Sequence, residues 1–310
     1  MNPDDLQIRV RIDRPSDEEV AFVEDVAAGS GIAVVVPPVH FAIETEYAGQ
    51  TREISRFSVY VERRIAIPEG VDPGLITTAV VVEPDGTIRH APTVVEQVNG
   101  QYYAVVRSMT NSMYVLVGKP AAFADMANHW AEAAVSDMGA RMIVNGTPDG
   151  RFEPERRITR AEFAAILVRG LGLKADDLAP SASFTDVSAG DWYIAAVRTA
   201  SQYGLVQGYA DGSFRPAERI TREQAAVMLS RAMALTGLHA RSAAGATADI
   251  PGAFTDANDV SVWAAAAMAD SVDAGLITGR SGQRLAPNEL LTRAETAVLV
   301  QRLLQRSGLI

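Results

Sequence analysis

Between residues 123 and 310 one pattern occurs three times. The copies begin FADMANHW, FTDVSAGDW and FTDANDVSVW, and they close on ITRAE, ITREQ and LTRAE. Trp130, Trp192 and Trp263 each stand thirty residues before Arg160, Arg222 and Arg293, and sixteen before Gly146, Gly208 and Gly279. Length varies only at the joints between copies, where loops accept insertions at little entropic cost. A fixed internal register with variable joints describes one supersecondary unit that cannot bury its apolar face alone and stacks on its neighbours.

Each copy opens with Phe-x-Asp, in Phe123/Asp125, Phe184/Asp186 and Phe254/Asp256. An Ala-rich segment follows the tryptophan. In the first copy Trp130, Ala134, Val135 and Met138 recur at helical spacing, so the tryptophan is expected to anchor the helix in the core. Gly204 and Gly275 occupy the C-terminal cap position in copies two and three. Asp-Gly at 149–150 and 211–212 predicts a tight turn, with Phe152 and Phe214 pointing inward from its returning arm. A calcium loop is excluded, because it needs alternating oxygen ligands and a closing Glu. These turns offer one Asp each, and the third, GRSGQRLAP, offers none.

Thr159-x-x-Glu162, Thr221-x-x-Gln224 and Thr292-x-x-Glu295 are capping boxes, which explains the Thr and the Glu or Gln by folding alone. The intervening arginine opposes the helix dipole. Either it pairs with an acid of its own fold, the Phe-x-Asp carboxylate being one candidate, or it grips an external anion beside free helix-start amides. The residues alone leave both readings open.

The first 120 residues have period two. Segments 6–12, 32–36, 40–47, 56–67, 77–83, 102–108 and 113–118 are rich in Val, Ile and Tyr. Turn signals lie between them at Pro37-Pro38, Pro68 with Gly70, Asp85-Gly86 and Asn99-Gly100. The pattern predicts an antiparallel sandwich of about seven strands. His40 and His90 are isolated and read as structural. Glu44 and Glu46 share one strand face, which reads as solvated.

Composition narrows the function. A net charge of −10 and a pI near 5.0 argue against a nucleic-acid binder and against a protein that lies on anionic lipid. The absence of cysteine excludes disulfides and thiolate chemistry. No run of eighteen apolar residues is present to span a membrane. The start, MNPDDLQIRVRIDRPSDEE, has neither the basic beginning nor the apolar run of a secretion signal, so the chain reads as cytoplasmic or as a piece of a longer exported protein.

The repeat resembles the surface-layer homology (SLH) module, whose pattern is Phe-x-Asp, a Trp, a helix, a Gly-x-x-x-Asp-Gly-x-Phe-x-Pro turn and Thr-Arg-Ala-Glu opening a second helix. The resemblance covers 123–310, and the β-rich part is similar to segments found upstream of such modules in surface proteins of Gram-positive bacilli. It implies a β-sandwich-like domain over 1–120 and modules over 121–180, 181–250 and 251–310, the three closing into an α-helical unit of pseudo-threefold symmetry. It further implies grooves that bind secondary cell-wall polysaccharide linked to peptidoglycan, notably its pyruvylated N-acetylmannosamine. Carried over by position, Arg160, Arg222 and Arg293 meet the ketal carboxylate. The sugar falls to Asp125, Asp186 and Asp256, to Trp130, Trp192 and Trp263, and to Gly146, Gly208 and Gly279. The expectation is a non-catalytic anchor without a cofactor, located at the cell wall or surface layer and tethering an upstream exported portion.

Two departures bear on this. Glu223 stands beside Arg222, where it can tie up or soften that charge, and copy three lacks the Asp-Gly turn and its Phe, so its turn geometry is expected to differ. A protein–protein scaffold is the competing reading. A glycoside hydrolase would need two carboxylates at a fixed separation, and each repeat supplies a lone Asp.

Overall fold

The computed structural model describes residues 7–47, 49–176, 183–238 and 254–310. It divides into two compact units, 1–120 together with 309–310, and 121–308. The chain is mixed: strands dominate the first unit and helices the second.

In the first unit, β1 (Gln7–Asp13), β2 (Ala33–Tyr47), β3 (Gln50–Glu53), β5 (Thr78–Val82), β6 (Ile88–Ala91) and β9 (Ser112–Gly118) form one sheet in the order β1-β2-β9-β5-β6, with β3 on β2. A second sheet runs β4 (Arg56–Ala66), β8 (Gln101–Thr110) and β7 (Thr93–Val98). All pairings are antiparallel. Phe41, Val81, Tyr114 and Leu116 of the first sheet share a buried core with Ile65, Ala104 and Val106 of the second. The two hairpin signals perform as their chemistry requires. Asn99 and Gly100, at φ of 50° and 85°, turn β7 into β8, and Gly86, at 81°, turns β5 into β6.

Three expectations need correction. Pro37-Pro38 does not end a strand. β2 runs through the prolines, and its pairing with β9 shifts register there, where a missing N–H would otherwise break the ladder. Among the described residues nine strands form where about seven are expected, since β3, β6 and β7 are short or polar. A helix, α1 (Asp17–Gly29), stands where the period-two reading predicts no element. Ser16 and Glu19 make a reciprocal capping box and three acids fill its first turn.

The second unit holds six α-helices among the described residues, two per copy: α2 (Glu132–Ala140) and α3 (Arg160–Gly170), α4 (Ile194–Gln202) and α5 (Arg222–Thr236), α6 (Ala265–Asp273) and α7 (Arg293–Arg306). All three second helices carry the anticipated capping box. Gly204 and Gly275 follow their helices at φ of 68° and 69°, as their cap position demands, while copy one places Met142 at 61° in that role.

The copies join cyclically. α3 packs on α4, α5 on α6 and α7 on α2, so each second helix lies against the first helix of the next copy. Ile158 N–H donates to the Leu291 carbonyl (3.0 Å), Leu291 to Ile220 (3.1 Å) and Ile220 back to Ile158 (3.2 Å). These three side chains are fully buried. Unpaired backbone groups would be costly at that depth, and the ring of bonds satisfies them.

Candidate ligand grooves

The Phe-x-Asp carboxylate is a turn clamp. Asp125 accepts from the amides of Phe152 and Glu153 (2.7 Å each), Asp186 from Phe214 and Arg215 (2.7 Å each), and Asp256 from Leu285 and Ala286 (2.7 and 2.8 Å). The second residue of each pair is left-handed, with Glu153 at 59°, Arg215 at 60° and Ala286 at 53°. L-residues visit that region at a cost, which two charge-assisted bonds offset. Burial pushes the carboxyls of Asp125 and Asp256 towards weaker acids, but the amide bonds outweigh it and hold both below the usual carboxylate range. Copy three keeps this geometry despite its different residues. Leu285 is fully buried where Phe152 and Phe214 sit, and Gln283, at φ 55°, replaces Gly150 and Gly212. The tip of the turn does differ, as expected: Gly282 and Gln283 are both left-handed, at 77° and 55°, where copies one and two have only Gly150 or Gly212 in that region. Arg280 N–H bonds to Arg284 O just as Thr147 bonds to Arg151 and Tyr209 to Ser213.

The glycines have a steric reason. A Cβ on Gly146 would lie 2.8 Å from the Phe123 ring and 2.9 Å from the Arg151 carbonyl. Gly208 would meet Phe184 and the Ser213 carbonyl at 2.7 and 2.8 Å, and Gly279 would meet Phe254 at 2.7 Å. The Phe of each Phe-x-Asp thus packs against the glycine of its own turn.

The tryptophans correct an expectation: they do not anchor the helices in the core. Trp130, Trp192 and Trp263 are 64%, 63% and 59% exposed. Val135 and Met138 fill the helix-core contact instead, and both are fully buried.

Among the described residues none of the three arginines pairs with a Phe-x-Asp carboxylate, and Arg222 alone forms an ion pair, with Glu295. Each reaches backbone carbonyls of the next copy. Arg160 Nη2 donates to Gln207 O (3.0 Å), beside Gly208. Arg222 donates from Nε to Leu285 O (2.7 Å) and from Nη2 to Thr278 O (3.1 Å), beside Gly279. Arg293 donates from Nε to Phe152 O and from Nη2 to Asn145 O (2.7 Å each), beside Gly146. Arg160 lies over the rings of Tyr209 and Phe214 (5.4 and 5.0 Å), and Arg293 over Phe152 (4.6 Å). Burial pushes all three below the usual arginine range, yet a guanidinium stays charged, and carbonyls orient it without neutralising it. Glu223 does not quench Arg222. It is buried and accepts from the amide and hydroxyl of Ser261 (3.0 Å each). The acid nearest Arg222 is Glu295, at 3.7 Å.

Two open cavities flank these arginines. One of about 320 Å3 is lined by Gly146, Arg293, Trp192, Arg156, Glu162 and Arg169 among others. The other, about 220 Å3, is lined by Gly279, Arg222, Trp130, Arg280, Glu295 and Arg302 among others. Each groove therefore draws on all three copies: the turn glycine from one, the arginine from the copy before and the tryptophan from the copy after. Arg160 stands by Gly208 in the same relation. The aspartates face their own turns, and among the described residues none forms an ion pair with Arg160, Arg222 or Arg293.

The sequence reading missed the wall residues Glu162 and Glu295 and the arginines Arg169 and Arg302. A signal existed for the latter. Arg169, Arg231 and Arg302 each stand nine residues after the helix-opening arginine.

These features define a module built of repeated helix pairs that presents cationic, tryptophan-edged grooves. The S-layer homology domain model matches residues 122–164, 183–226 and 253–297, so the chain carries three S-layer homology domains. It is 34% identical over 198 residues to an amylopullulanase of Thermoanaerobacterium thermosulfurigenes, covering 64% of this chain and 10% of that protein. It is 33% identical over 202 residues to exoglucanase XynX of Acetivibrio thermocellus (63% and 18%), and 30% identical over 179 residues to the surface-layer 125 kDa protein of Lysinibacillus sphaericus (57% and 14%). The chain thus spans under a fifth of the length of these relatives. S-layer homology domains are non-catalytic anchoring modules that bind cell-wall polymers, which places the chain outside the cell, at the cell wall. Among the described residues no helix is long and apolar enough to cross a membrane.

Proposed function

We propose that the second unit is a pseudo-threefold trimer of modules 121–180, 181–250 and 251–310 that binds pyruvylated secondary cell-wall polysaccharide, and that it tethers a larger exported protein. The observation that carries this reading is the groove composition: a guanidinium oriented by backbone carbonyls, an open cavity and an exposed tryptophan, assembled from three copies around a glycine turn. A carboxylate arriving at Arg293 or Arg160 would meet a cation already oriented by carbonyls, so little ordering entropy opposes binding. The tryptophan offers an apolar face to the sugar ring. Asp125, Asp186 and Asp256 serve the site by shaping the turn that carries the groove, and Gly146, Gly208 and Gly279 by letting the backbone approach. Residues 1–120 form a sandwich-like spacer, and any catalysis belongs to an upstream portion. The small share of each relative that this chain matches supports that division.

The test is sedimentation with purified Gram-positive wall sacculi before and after acid stripping of the polysaccharide, comparing the parent with Arg160→Ala and Arg222→Ala. Pelleting that depends on the polysaccharide and weakens in the variants is expected. Unchanged pelleting with stripped walls overturns the glycan reading and favours a protein–protein scaffold.

A further inference from the structure

The arginine that opens each second helix has a companion in the same register. Arg169, Arg231 and Arg302 lie two and a half turns further along α3, α5 and α7. Because the opening arginine points into the next copy, each groove receives its two arginines from different helices. Arg169 shares the Gly146 groove with Arg293, and Arg302 shares the Gly279 groove with Arg222. At Gly208, Arg160 and Arg231 both donate to Gln207, through its carbonyl (3.0 Å) and its Oε1 (2.8 Å).

Like charges gathered on a half-buried wall oppose folding unless something compensates them. The walls do contain acids, but these arrive with arginines of their own. Glu162 is held by Arg156 at 2.6 Å, and Glu295 chiefly by Arg280, with Arg222 further off at 3.7 Å. In copy two the equivalent wall residue is the uncharged Gln224, and the position of Arg156 holds Glu218. Glu218 in turn lies 3.7 Å from Arg215, so this acid too has an arginine of its own. Arg169 is the clearest case. Among the described residues its guanidinium forms neither a hydrogen bond nor an ion pair, and burial pushes it below the usual arginine range. Arg231 and Arg302 additionally hold the Leu205 and Leu276 carbonyls (3.5 and 3.0 Å).

We propose that Arg169, Arg231 and Arg302 are second ligand residues, so that each groove holds an anionic group of an acidic saccharide between two guanidiniums. The proposal rests on the reading of the grooves as cell-wall glycan sites.

The three tryptophans allow a site-resolved test in the full chain, since Trp192 lines the groove of Arg169 and Trp130 that of Arg302. Their indole N–H resonances are followed by NMR during titration with the methyl glycoside of pyruvylated N-acetylmannosamine, with the unpyruvylated glycoside as control. Arg169→Gln is expected to weaken the Trp192 titration about tenfold, the loss of one charge-assisted contact, with the Trp130 midpoint unchanged and the melting temperature no lower. Arg169→Lys recovers most of the affinity. An unchanged Trp192 midpoint in Arg169→Gln, while Arg293→Gln abolishes the shift, overturns the second residue and leaves the glycan reading standing. A parallel loss at Trp130 marks general damage and also overturns it. No indole shift in the parent with the pyruvylated glycoside overturns both.

Discussion

Arg293 Nη2 donates to the backbone carbonyl of Asn145, 2.7 Å away and 148 residues earlier in the chain. That bond joins the last helix to the first turn and completes a cycle whose other members are Arg160 with Gln207 and Arg222 with Thr278. An open stack of repeats exposes two ends that need caps, whereas a closed one has none. The same arginines therefore hold the ring together and place charge at its grooves, which explains a cation in the first turn of a helix.

Breaking the closing contact should destabilise the whole second unit. Arg293→Met keeps the helix and the apolar stem but leaves the Asn145 and Phe152 carbonyls without their donor. A loss of about 1.5–3 kcal/mol is expected. All three tryptophans lie in this unit, so urea denaturation followed by tryptophan fluorescence reports it within the intact chain. A loss confined to local fraying, with the midpoint unmoved, would contradict closure.

The Asp clamps predict acid sensitivity. Asp125 and Asp256 have folded values below the unfolded one, so their stabilisation is fully present above the unfolded value of about 3.9. It is lost as pH falls through the folded values, and the melting temperature should drop steeply below about pH 4. Asp125→Asn should flatten that acid limb and lower stability at pH 7 by about 2 kcal/mol, because an amide oxygen accepts more weakly than a carboxylate and its NH2 faces a donor. Thermal melts across pH 2–7 check both the slope and the sign.

Much of this architecture is legible in the residues. Register alone identifies the three copies, and the capping boxes place α3, α5 and α7 because Thr159, Thr221 and Thr292 satisfy helix-start amides locally. The Asn99-Gly100 hairpin is equally local. What fails is what depends on distant partners. Trp130 keeps helical spacing with Ala134 and Met138 in the sequence, yet it precedes α2 and borders a groove supplied by neighbouring copies, about which periodicity carries no information. Arg222 looks quenched by the adjacent Glu223 until Ser261, in the next copy, takes that carboxylate. The Pro37-Pro38 pair resembles a turn because the bulged pairing that absorbs it belongs to β9. The helix at 17–29 was hidden by its weak amphipathicity, with only Val23 and Ala27 buried.

Copy three offers a stabilising substitution. Gln283 is exposed and left-handed at φ 55°, where copies one and two place Gly150 and Gly212 at 79° and 80°. Its side chain buries little, so its removal costs little packing. Gln283→Gly should relieve the backbone strain and raise stability by about 0.5–1 kcal/mol, after allowing for the greater freedom of glycine in the unfolded chain. The same urea titration measures it, and a fall in stability would show that the turn is held by side-chain contacts of Gln283.

The exposed tryptophans separate binding from folding. Trp192 is 63% exposed, so Trp192→Ala should change stability by no more than about 0.5 kcal/mol. In the groove, however, it edges the cavity opposite Arg293 and Gly146, and its loss should weaken capture of a single saccharide about tenfold. Pelleting with intact wall sacculi will show a smaller effect, because remaining grooves rebind at high effective concentration along the polymer. The double variant Trp130→Ala/Trp192→Ala should therefore lose far more retention than the product of the single effects. Equal pelleting by parent and double variant, with both folded by circular dichroism, would exclude these grooves as the anchoring surface.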